Sequence, residues 1–167
     1  MNESTISIII SIVALAISIG SFIFSKGDKK EPKLEKDGTY VPLQLQAYER
    51  LVLLCERIAI PNLISRVSQP HFSAKEMQML LIDSIKQEFE YNSSQQIYVS
   101  SVAWEAVRNL RDQSMLIINQ VANILPPDAK ASDLNKQLLE VIMNQKEAAL
   151  HTIVLNALNF EAKKLMQ

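Results

Sequence analysis

The chain has 167 residues, with 17 Lys and Arg against 18 Asp and Glu and a net charge of −1. That balance leaves no basic stripe to neutralise phosphates, so nucleic acid is not an expected partner. A single cysteine, Cys55, excludes an internal disulfide and a cysteine-based zinc site, and three glycines, all before residue 39, leave no phosphate-cradling loop in the larger part of the chain.

The first element is the run Ser4 to Ser25, which carries no charged residue. At about 1.5 Å per residue a helix of this length reaches roughly 33 Å, enough to cross a bilayer hydrocarbon core of about 30 Å. It is expected to be a transmembrane anchor over residues 1–25. Ser4, Ser7, Ser11, Ala14, Ser18, Ser21 and Ser25 fall at alternating steps of three and four. This ladder of small residues on a 3.5-residue period is the expected seam for helix–helix association in the membrane. Ala16 and Gly20 offer a competing small-residue contact on another face. Lys26, Lys29, Lys30, Lys33 and Lys36 follow the run and no Lys or Arg precedes it. That bias places the N-terminus outside and the rest in the cytoplasm, single-pass in a bacterial inner membrane. Residues 26–39 are polar and mixed in charge, and read as a flexible linker.

The remainder, 40–167, has no strand pattern and is expected to be a helical bundle. A first helix runs from Pro42 to about Ala59, with Tyr48, Leu51, Cys55 and Ile58 on one face, and Pro61 stops or kinks it. Asn62 to Val67 can add one or two turns. Ser73 and Glu76 form a capping box that launches a helix to about Tyr91, with Met77, Leu81, Ile85 and Phe89 inward. Gln95 to Leu125 reads as one long helix, or as one beginning at Ser100 or Ser101 after a short extended piece, and Pro126 and Pro127 end it. After a loop, Ser132 is the expected N-cap of a last helix, Asp133 to Leu165, with Leu134, Leu138, Ile153, Ala157 and Phe160 toward the core. The fold class is therefore all-α: a transmembrane helix followed by a soluble antiparallel bundle of about four helices.

No constellation of catalytic groups emerges. His71 lies in a loop, and Glu147 and His151 share a helix face but lack the further carboxylates of a bundle metal site. Cys55, on an apolar face, reads as a buried and inert thiol. Trp104 and Tyr98 read as packing residues. Catalytic residues, metal and cofactor are each expected to be absent. Gln46 to Leu51, Gln96 to Trp104 and Ala157 to Glu161 resemble the corresponding stretches of a bacterial family of single-span helical proteins of unknown function. The resemblance implies no activity, substrate or catalytic residue.

These readings point to a membrane-tethered protein-interaction or assembly module without catalytic activity. Its partners would be the bilayer and either a second copy or another membrane protein met through the anchor. An exposed apolar patch is expected around Ile117, Ile118 and Val121. The alternative is a bundle that encloses a lipid or other apolar ligand near the membrane.

Overall fold

The computed structural model of the chain describes residues 40–144 and 147–167. Among them are six α-helices and no strand: α1 (Val41–Ile58), α2 (Ile60–Val67), α3 (Ala74–Tyr91), α4 (Ser101–Ile124), α5 (Ala131–Asn144) and α6 (Glu147–Leu165). A 3-10 turn, Ser93–Ile97, joins α3 to α4. These elements belong to one compact unit, Gly38–Gln167. No helix among the described residues is long and apolar enough to cross a membrane. The expected span with its seven-residue ladder, and the linker after it, lie outside the described residues.

The all-α expectation holds, and the described residues form six helical stretches where about four helices were expected. The break between α1 and α2 has a local cause. Pro61 has no N–H to continue the ladder, and Ala59 turns out of helical geometry with ψ of 125°. The carbonyls left over at the end of α1 find side-chain donors across the break. Asn62 Nδ2 donates to the Glu56 carbonyl at 3.0 Å, and Arg66 Nη2 to the Arg57 carbonyl at 3.1 Å.

The capping box of α3 is present: the Glu76 N–H donates to Ser73 Oγ at 3.3 Å, and the Ser73 N–H to Glu76 Oε2 at 2.8 Å. Of the two starts offered for α4, the later one is found, with Ser100 Oγ accepting from the Ala103 N–H at 3.0 Å. Ser132 is not the cap of α5. The helix starts at Ala131, two residues before the expected Asp133, and Asp133 closes its first turn by accepting from the Lys130 N–H at 2.9 Å. The starts of α3 and α5 are clasped by two backbone hydrogen bonds, Ala74 N–H to Ala129 O and Ala131 N–H to Phe72 O, both 2.9 Å.

Helix α4 is the centre of the bundle. It packs on α3, α5, α6 and α1, while α1 lies along α6, and α5 lies along α3 and α2. This explains the main correction to the expected sites. Ile117, Ile118 and Val121 are only 5%, 0% and 4% exposed. Neighbours on several sides of α4 widen its buried arc, so Ile117 and Ile118, about 100° apart on the helix, are both covered. The expected interaction patch is core.

The second correction concerns the last helix. Over its second described stretch, α6, the buried positions are not those of the expected register. Val154 and Leu158 are buried in α6, whereas Ile153 and Phe160, expected inside, are 62% and 70% exposed.

Candidate functional site

A half-open cleft of about 270 Å³ sits where the α1–α2 joint, the middle of α4 and the ends of α5 and α6 meet. Its apolar wall includes Ile60, Pro61, Leu110, Ile117, Ile142 and Leu150, with Ser114 and His151 among the polar lining groups. The space follows from residue sizes. Pro61 turns the chain away at the end of α1, and Ser114 places a short side chain between Leu110 and Ile117 on the inner face of α4. The Ser114 hydroxyl is itself satisfied, donating to the Leu110 carbonyl at 2.8 Å.

His151 supplies the polar feature of the cleft. Its Nε2 is buried and has no hydrogen-bond partner among the described residues. Among the described side chains the acid beside it is Glu56 of α1, with Oε2 at 3.8 Å, too far for a hydrogen bond. Glu56 Oε2 accepts from Asn62 Nδ2 at 3.2 Å, which holds the carboxylate beside the ring. An imidazole nitrogen left unpaired in a largely apolar wall costs free energy unless a bound group meets it. With a carboxylate nearby, the rim suits an incoming hydroxyl or amine donor better than an anion, which Glu56 would repel.

The other sequence-derived candidates fall elsewhere. Cys55 is fully buried, and its thiol is pushed up to about 12, first by burial and then by the neighbouring Glu56 charge. A thiol so held is a poor nucleophile. His71 is exposed in its loop. The Glu147 side chain, expected to pair with His151, lies outside the described side chains. Among the described residues no group of three His, Cys, Asp or Glu could hold a metal ion. Trp104 packs on Phe89 with ring centroids 5.0 Å apart, and the Arg111 guanidinium covers the other partner at 4.1 Å from the Phe89 centroid. Of the asparagines in the later helices, Asn119 makes a cross-helix bond, its Oδ1 accepting from buried Gln78 Nε2 at 2.7 Å.

Two polar connections set the relative placement of the helices. The Tyr48 hydroxyl donates to Glu161 Oε2 at 2.5 Å and accepts from the Ser100 N–H at 3.2 Å, tying α1, α6 and the start of α4 at one level. Burial and then the Glu161 carboxylate raise the phenol above its ordinary range. On another face, Glu88 Oε1 accepts from Arg57 Nε at 2.7 Å, Arg57 Nη2 at 2.5 Å and Arg66 Nη1 at 3.3 Å, joining α1, α2 and α3. Neither cluster opens into the cleft. The signal for the cleft was in the sequence as Ser114, a small residue in the core register of Leu110, Ile117 and Val121. The Glu56–His151 approach had no local signature, because 95 positions separate the two residues.

Comparison with known families matches residues 1–165 to one described as "Family of unknown function (DUF7935)", and the chain belongs to it. The match takes in the apolar run Ser4 to Ser25 as well as the bundle, and its description carries no activity, topology or source. No curated protein and no solved structure matches the chain.

Proposed function

We propose that this member of the family is a non-enzymatic, membrane-tethered helical binding module. Its anchor is Ser4 to Ser25, its bundle lies on the cytoplasmic side, and its cleft takes a small apolar ligand with a hydrogen-bond donor at one end. The observation that carries the ligand reading is the cleft: a largely apolar lining holds the His151 Nε2, which has no partner among the described residues. At about 270 Å³ it lies near the lower limit for small-molecule sites, which suits a single short chain better than a whole lipid. The tether and its orientation rest on the uncharged run and the five lysines after it.

The test is to purify the intact chain from native membranes and identify co-purifying small molecules by mass spectrometry, beside a Ser114→Leu variant that fills the cleft. An alcohol- or amine-headed apolar compound retained by the native chain and lost from the variant supports the reading. Equal retention by both rejects the cleft as its site. A reporter fused to the C-terminus checks the orientation, and activity only on the external face would reverse it.

Assembly through the anchor is a second reading, favoured by the Ser4 to Ser25 ladder. Cysteine crosslinking along the run should then show a heptad pattern. A flat pattern, or one centred on Ala16 and Gly20, rejects that seam.

A further inference from the structure

The bundle leaves large apolar side chains outside, and they are not spread evenly. The Tyr48 hydroxyl fixes one level, where α1, the end of α6 and the start of α4 meet. At or beyond that level lie Tyr40 and Leu43 on the first turn of α1, Ile97 in the 3-10 turn, Val102 on the first turn of α4, and Phe160 and Met166 at the end of α6. All six are exposed large hydrophobics. Lys163 and Lys164 stand on the last turn of α6 among them. Of the acids near this level, Glu161 is engaged by Tyr48 and Glu105 by Arg108, while Glu49 is exposed. The opposite end, with the α3–α5 clasp and the loop at Asp128, has Ile124 at the end of α4 and Met79 on the second turn of α3. Helix α4 alone, at 24 residues, separates the two ends by about 36 Å.

We propose that the Tyr40 end of the bundle is seated in the headgroup region of the bilayer, a surface separate from the ligand cleft. The proposal rests on the reading of Ser4 to Ser25 as the anchor. The described chain begins at Tyr40, at this same end, and only residues 26–39 lie between it and the expected span. Residues 26–39 join the expected span to the near end, so the covalent connection brings that end, rather than the far one, to the bilayer. Tyr and aliphatic tips mixed with lysines suit the interface, where rings and stems enter the acyl boundary and ammonium groups stay with anionic headgroups. The chemistry is that of a lipid surface, with no single lipid selected.

The test places spin labels on the full chain in nanodiscs of phosphatidylcholine and phosphatidylglycerol. Cysteines replace Val102, Phe160 or Met166 at the near end, and Asp128 or Lys130 at the far end, one at a time. Cys55 stays in place, because its buried thiol will not label. Near-end labels should collide several-fold more with oxygen than with a water-soluble nickel chelate, relative to far-end labels. Replacing Lys163 and Lys164 together by Gln should shrink that contrast in phosphatidylglycerol discs. Equal nickel access at all five positions in a chain that stays with the disc overturns the seating and leaves the anchor standing. Protection that persists in detergent micelles assigns the end to a second copy or to residues 1–39 and also overturns it. A chain that does not stay with the disc overturns both readings.

Discussion

Replacing Tyr48 by Phe removes one hydroxyl that serves two helices. In the native bundle this hydroxyl donates to Glu161 at 2.5 Å and accepts from the Ser100 N–H at 3.2 Å. A hydrogen bond to a carboxylate contributes about 1.5–3 kcal/mol net, and a neutral one about 1 kcal/mol. Glu161 is half-buried, so solvent repays part of its loss, and the Ser100 N–H keeps the cost of a lost acceptor. The expected penalty is about 2 kcal/mol. For a domain of this size that corresponds to a fall of roughly 8 °C in Tm. Trp104 is the single tryptophan and packs inside the bundle against Phe89, so its fluorescence follows bundle unfolding in the full-length chain in micelles. A cycle of Tyr48→Phe, Glu161→Ala and the double variant should return a coupling of about 1 kcal/mol. A single-variant loss below about 0.5 kcal/mol, or strict additivity in the cycle, would refute the claim that this hydroxyl fixes the level of the three elements.

Filling the cleft by Ser114→Leu should raise Tm by a few degrees, through about 1 kcal/mol of added burial, because the lost hydroxyl leaves no buried group unpaired. A destabilisation above about 1 kcal/mol would mean that the space is not there to fill. Stability should fall with rising pH above about 9. The Cys55 thiol is held protonated to about 12 in the fold and ionises near 9 when unfolded, so its contribution is complete below the lower value and lost through the upper one. The raised Tyr48 phenol acts in the same direction above its ordinary value of 10.0. Cys55→Ala should flatten the slope, by up to about 1.4 kcal/mol per pH unit, in unfolding series from pH 8 to 11; an unchanged slope contradicts the assignment. Ser73→Ala should cost about 1 kcal/mol and Ser73→Gly only a few tenths, and equal losses would argue against a capping role. Glu88→Gln should cost about 1 kcal/mol after allowance for the solvent around Arg57 and Arg66, measured by the same Trp104 signal; no change would show that the cluster is only a surface pairing.

The elements read best from the sequence were those with a local cause. Pro42, the Ser73–Glu76 box and Pro126–Pro127 act within a few residues of themselves, and α1, α3 and the end of α4 lie within a residue or two of expectation. From sequence, the last helix reads in a single register from Asp133 to Leu165. That register turns Ile153 and Phe160 inward, whereas Val154 and Leu158 are the residues buried. The Ile117 patch failed for a tertiary reason. An isolated helix with two adjacent isoleucines must show one of them, but α4 is packed from several sides and covers both. The cleft was half legible. Ser114 marked a gap in the core register, but its ceiling, from Pro61 to His151, is assembled by contacts distant in sequence.

Methyl-detected NMR of the full chain in nanodiscs, titrated with decanol and with decanoate, tests the central claim most directly. The cleft reading predicts saturable shifts concentrated at Ile117, Ile142 and Leu150, stronger for the alcohol than for the acid, and absent in Ser114→Leu. Shifts spread over the exposed end of the bundle, or none at those three methyl-bearing residues with either compound, would contradict it.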